Sequence, residues 1–226
     1  MCTNYRPSAR EVFASEFETF HDRIDGLEWK DETYRDYLAP IIVAGEGGRR
    51  EAVLAGFGFT PKRHLPPGVE FSTMNARGEE IGGKKTYKQA WKDGQLCLVP
   101  MQWFYEPNWE SGVHVRTAIG MADGRDFCVA GVWREWKEED GSTSNAFAQI
   151  TVNADEHELM KHFHKPGDEK RSLVIVPREG YDDWLQCKNP EVARAFMQLY
   201  PAELMKSWAA PKPAAPKKEK PQQGLL

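Results

Sequence analysis

Val113-His114-Val115-Arg116-Thr117-Ala118-Ile119-Gly120-Met121, Phe127-Cys128-Val129-Ala130-Gly131-Val132-Trp133 and Phe147-Ala148-Gln149-Ile150-Thr151-Val152 follow one another along the chain. Each run is rich in β-branched and aromatic residues, the composition that fits a pleated, half-buried surface. Ala122-Asp123-Gly124 and Asp140-Gly141-Ser142 separate them with turn signals. Connections this short join neighbouring strands in antiparallel fashion. Working outward, Gln95–Met101 reads as a strand before the trio. Pro40–Ala44 and Glu51–Phe59 form a further pair about the turn Gly45-Glu46-Gly47-Gly48, and Ser172–Val176 adds a strand after it. Helical patterns are few and peripheral. Ser8-Ala9-Arg10-Glu11 has capping-box spacing and leads a stripe of Phe13, Phe17, Phe20 and Ile24. Lys85–Lys92, Asn153–Phe163 with Asn153 as cap, Tyr181–Gln186 and Pro190–Leu199 complete the set. The expected fold is α+β: one domain over residues 1–208, built on a curved, mostly antiparallel sheet or barrel with peripheral helices. Residues 209–226, rich in Pro, Ala, Lys and Gln, are expected to be a disordered tail.

Composition narrows the function classes. The 226 residues are 40% hydrophobic and 28% charged, which describes a globular chain able to bury a substantial core. No apolar run reaches the roughly 18 residues of a membrane span, and the N-terminus lacks a secretory layout. Cys2, Cys97, Cys128 and Cys187 are widely spaced with no CxxC pair, so a reducing cytoplasm is expected, without disulfide framework or zinc knuckle. The net charge of −4 argues against a protein that coats nucleic acid electrostatically, while leaving room for a local basic site. Eight tryptophans are mostly core and rim residues by expectation, with one or two available to stack on bases.

Cys2 is the most informative single residue. Once Met1 is clipped, it carries an α-amine beside its thiol, with reference pKa values of about 7.7–8.0 and about 8.5. The pair can close a thiazolidine ring on an aldehyde, whereas an ordinary terminal cysteine would simply fray. Asn75-Ala76-Arg77 reads either as a polar loop or as an amide plus a guanidinium able to grip phosphate, with Lys84 and Lys85 extending a positive strip. Glu106 lies in Trp103-Phe104-Tyr105-Glu106-Pro107. It is either a strand-end carboxylate facing water or a buried acid whose raised pKa suits proton transfer. His157, His162 and His164 invite a metal reading. Histidines five apart on a helix diverge by roughly 140°, however, so no metal and no cofactor is expected.

Four blocks in order, Met1-Cys2, Asn75-Ala76-Arg77-Gly78-Glu79, Cys97-Leu98-Val99-Pro100 into Trp103-Phe104-Tyr105-Glu106, and Thr151-Val152-Asn153-Ala154 into Phe163-His164, resemble the SRAP family of SOS response-associated peptidases or abasic-site processing proteins. The resemblance implies a monomeric protein that binds single-stranded DNA bearing an abasic site and cross-links to it through Cys2. It further implies catalytic roles for Cys2, Asn75, Glu106 and His164, and DNA contacts by Arg77. His164 is preferred over His162 for its place after the apolar Phe163. The chain departs from the pattern in having Thr3-Asn4 where the family commonly has Gly-Arg, Phe57 in place of a tryptophan, and Lys165–Lys170 inserted before Arg171. The same residues leave two other readings: an N-terminal-nucleophile amidohydrolase of the class II glutamine amidotransferase type, and a non-catalytic nucleic-acid-binding module.

Overall fold

A computed structural model of the chain describes residues 2–212; the expected tail lies, from residue 213 on, outside the described residues. Eleven strands share one sheet: β1 (Tyr5–Pro7), β2 (Leu38–Ala44), β3 (Arg50–Phe57), β4 (Asn75–Arg77), β5 (Leu96–Asn108), β6 (Val115–Met121), β7 (Phe127–Lys137), β8 (Thr143–Asn153), β9 (Arg171–Leu173), β10 (Ile175–Val176) and β11 (Met205–Ala209). The neighbours run β7-β8-β3-β2-β5, and β5 pairs back onto β7, so five strands close a barrel. Every pairing is antiparallel except two, β3 with β8 and β4 with β8. Helices α1 (Glu11–Ser15), α2 (Lys88–Lys92), α3 (Tyr181–Gln186) and α4 (Pro190–Ala193) lie outside the strands.

The inner stretches of β2, β5 and β7 are apolar on both faces, because each face meets a core. Cys97, Val99 and Met101 of β5 join Val129 and Phe147 in one core, with Cys2, Phe104 and Phe163. Their alternates Leu96 and Leu98 join Ala130, Val132 and Ile150 in a second core, capped by Phe13, Tyr181 and Trp184. Both sheet faces are therefore covered, and a one-residue slip would exchange the two cores. Gly131 marks a close approach between barrel strands: a Cβ there would lie 2.8 Å from Cys97 Sγ and 2.9 Å from Ala148 O.

Two helical expectations fail for physical reasons. Ser8 does not cap α1, because its amide donates to Pro100 O at 3.3 Å and continues the pairing of β1 with β5. The helix stops at Ser15, the chain turns through Glu18 at φ 53°, and Phe20 N then bonds Arg50 O at 2.9 Å. Phe20 thus leaves the stripe and is 53% exposed, while Phe13, Phe17 and Ile24 are buried. From Asn153 no α-helix forms. Asn153 Oδ1 accepts the Asp155 amide at 3.1 Å, and His157 Nδ1 accepts the amides of Leu159 and Met160. These side chains divert the backbone into turns and a single 3₁₀ turn at Met160–His162.

Candidate active site around Cys2

The site forms where the N-terminal segment crosses the far half of β5. Tyr5 pairs with Phe104 and Arg6 with Trp103, and Tyr105 N donates to Asn4 O at 3.0 Å, which carries the preceding residues alongside Glu106. Cys2 is almost fully buried, and its thiol donates to Asn4 O at 3.3 Å. β4 supplies Asn75, whose Nδ2 donates to Cys2 O at 2.6 Å; Tyr87 Oη braces Asn75 from behind through its carbonyl, at 3.1 Å. The last turn before the insertion supplies His164. His164 N donates to Pro107 O at 2.9 Å, beside a bridge between Asn108 and Phe163, and this brings Nδ1 to 3.5 Å from Glu106 Oε2. His164 sits at φ 62°, a left-handed conformation that costs a non-glycine residue energy and recurs at functional sites.

Electrostatics follow from burial. Glu106 is 4% exposed, and desolvation pushes its carboxyl up to about 7. Desolvation pushes the His164 imidazole down to about 4, so it is neutral at pH 7 rather than titrating near 6.5. Burial, reinforced by the neighbouring Glu106 charge, pushes the Cys2 thiol up to about 12. The site therefore holds a protonated thiol, a carboxyl poised near neutrality, and a neutral imidazole.

The structure gathers Cys2, Asn75, Glu106 and His164, and it separates the three histidines. His157 binds Tyr200 O at 2.7 Å, while His162 is exposed and pairs with Glu110 at 2.8 Å. Among the described residues, no three His, Cys, Asp or Glu side chains converge on a point where they could hold a metal ion. Arg77 lies two residues along β4 from Asn75, half-exposed, with Nη2 at 2.9 Å from Glu169 Oε2. Lys84 is tied to Glu80 at 2.7 Å and Lys85 is exposed; among the described residues neither is bonded to the four gathered side chains.

Sequence reading missed three groups. Arg171 is buried and binds Glu79, Glu169 and Thr151 O, which fixes the partner of Arg77. A cavity of about 370 Å³ opens beside His164, lined by Pro107, Trp109, His114, Lys165 and Asp168, with Lys165 Nζ 5.6 Å from the centre of the Trp109 ring. Trp109 was visible only as one of eight tryptophans. The third group is Asn4 with Glu32 and Arg116, which no local motif announces. A larger cavity of about 620 Å³, between Phe127, Tyr181 and Tyr200, contains none of the gathered residues.

The family model for SOS response associated peptidases (SRAP) matches residues 1–213. The chain belongs to the SRAP family. A comparison with curated proteins finds no match. Among solved structures, a Bordetella bronchiseptica protein superposes with a TM-score of 0.82 at 28% identity, covering 93% of this chain and all of that one. A Bacteroides thetaiotaomicron protein gives 0.71 at 20% identity, over 92% of this chain and 91% of its own. A phage-related protein of B. bronchiseptica gives 0.66 at 16% identity, over 93% and 95%; these two share the fold. The SRAP assignment agrees with the α+β barrel expected from the strand pattern.

Proposed function

We propose that this SRAP protein captures abasic sites in single-stranded DNA as part of a DNA-damage response. The observation that carries the reading is a second-position cysteine held by Asn75 beside a buried carboxyl and a neutral imidazole. Hydrolysis of the Met1–Cys2 bond frees the α-amine, the one peptide cleavage this reading requires. The amine then adds to the C1′ aldehyde of the opened sugar, giving a carbinolamine that loses water to an imine. The thiol sulfur adds to the imine carbon while its proton passes to the nitrogen, and the ring closes as a thiazolidine. Glu106, at about 7, suits the shuttling of these protons at neutral pH. Neutral His164 suits acceptance of the hydroxyl proton when the closed hemiacetal opens. An imine that escapes closure can undergo β-elimination, which is strand cleavage.

A thiol near 12 fits this sequence better than amide hydrolysis, because an acyl-transfer cysteine attacks as a thiolate. On this reading Arg77 takes a phosphate in exchange for Glu169, and Trp109 with Lys165 offers a flanking base a stacking face and a cation. Lys84 and Lys85 would reach only the periphery of such a strand.

The test is incubation with an abasic oligonucleotide followed by a denaturing gel. Wild type should give a heat-stable shifted band. Cys2→Ala should lose it while still binding single strands, and Cys2→Ser should leave an imine that borohydride traps. An undiminished stable adduct in Cys2→Ala would refute the mechanism.

A further inference from the structure

Where the family commonly has an arginine after the terminal cysteine and glycine, this chain has Asn4, and the structure puts an arginine against it from another strand. Arg116 of β6 donates through Nη2 to Asn4 Oδ1 at 2.7 Å and to Glu32 Oε1 at 2.9 Å. Its Nη1 donates to Ala210 O at 3.0 Å, and its guanidinium carbon lies 3.4 Å from the centre of the Tyr105 ring. Each partner is itself held. Glu32 accepts from Tyr34 Oη at 2.8 Å and from Tyr105 Oη at 3.2 Å, and Asn4 Nδ2 donates to Thr33 O at 3.3 Å. Ala210 N returns a bond to Arg116 O at 2.9 Å. Asn4 is also the residue whose carbonyl receives the Cys2 thiol.

Most of the donors on Arg116 are engaged by protein, its side chain is 15% exposed, and its charge is met by Glu32. Such a group is poorly placed to take a phosphate and well placed to fix a backbone. Its planar fork holds two elements at set angles, which a lysine cannot reproduce. Asn4 in turn is pinned by side chain and backbone, leaving the two residues before it a short span with one direction. We infer that Arg116 is a positioning residue: with Glu32, Asn4 and Ala210 it clasps the N-terminal segment and aims Cys2 at the aldehyde carbon. The inference rests on the cross-linking reading above.

The test separates rate from binding. Single-turnover cross-linking of abasic single strands by full-length protein is followed against DNA concentration. Arg116→Ala should lower the saturating rate by about tenfold, with the half-saturating concentration within about twofold, the signature of lost orientation rather than lost affinity. Arg116→Lys keeps the charge but not the fork and should remain slow. Asn4→Ala should match Arg116→Ala, and the double variant should be no slower, because the two act as one unit. Recovery in Arg116→Lys, or a defect confined to half-saturation with a flatter salt dependence, would make Arg116 a phosphate contact and overturn the inference. Residue-resolved thiol labelling, read by peptide mass spectrometry without DNA, supplies an independent measure. Cys2 should label faster in Arg116→Lys than in wild type, while Cys187 labels equally in both. Equal labelling of Cys2 would overturn the clasp, whereas a wild type that labels as expected but forms no adduct would refute the proposed function instead.

Discussion

Burial moves Glu106 and His164 in opposite directions, and the two shifts oppose one another in the pH dependence of stability. Between the ordinary value of 4.5 and about 7, Glu106 binds more proton folded than unfolded, so its contribution is complete below 4.5 and is lost as pH rises through about 7. Between about 4 and the ordinary 6.5, His164 binds less proton folded than unfolded, so its contribution is present above 6.5 and is lost as pH falls through about 4. Wild-type stability should therefore change little with these groups from about 4.5 to about 6.5. His164→Gln should expose a decline with rising pH, and Glu106→Gln a rise, each with a slope of at most about 1.4 kcal/mol per pH unit. Urea midpoints across this range check both signs. Asn75→Ala removes the donor to Cys2 O and should slow cross-linking by about tenfold, leaving affinity for intact strands unchanged, as read by gel time courses and anisotropy. At this scale the sequence was informative where chemistry is local. Glu106 lies among aromatics that made burial one of its two readings, and the structure buries it. The lowered pKa of His164 was not legible, because it depends on β5 closing over a loop far along the chain.

Strands were more legible than helices, and the reason is competition for backbone groups. The barrel strands satisfy theirs against neighbours whose apolar runs are written in each segment, so β2, β3, β7 and β8 fall on those runs, with β7 and β8 continuing beyond them as a hairpin to Lys137 and from Thr143. The residues around Ser8 and Asn153 had helix-start signals, but a sheet partner claimed the Ser8 amide and side-chain oxygens and a ring nitrogen claimed the amides after Asn153. β1 and β11 are short and polar on one side, and only their pairing with β5 and β6 defines them. Two substitutions probe this level. Gly131→Ala places a methyl against Cys97 Sγ and the Ala148 carbonyl and should destabilise by about 1–3 kcal/mol, measured by denaturant unfolding. Arg171→Ala leaves Glu79 and Glu169 without their shared cation and takes a donor from Thr151 O, which keeps the Gly78 amide. Because both carboxylates are partly exposed and Glu169 keeps Arg77, it should cost about 1–3 kcal/mol by the same measurement.

Across the whole molecule, the charge balance of −4 limits how strongly a phosphate backbone can be held. Affinity for single strands should depend weakly on salt, with a log–log slope on the order of −1 to −2, and Arg77→Ala should reduce its magnitude by about 0.7. Anisotropy titrations at several salt concentrations decide this, and a loss confined to abasic strands would move Arg77 into the chemical step. The meeting of Asn4, Glu32 and Ala210 on one guanidinium has a consequence in time as well as in space. A ribosome makes Cys2 long before Ala210, so the N-terminal segment emerges well ahead of the parts that seat it. β5 and β6 must be made and released before the N-terminal segment has anything to lie against. A chain made only as far as β4 thus carries Cys2 unseated, and on the function proposed above it gains its grip on DNA only once β5, β6 and Ala210 have been made.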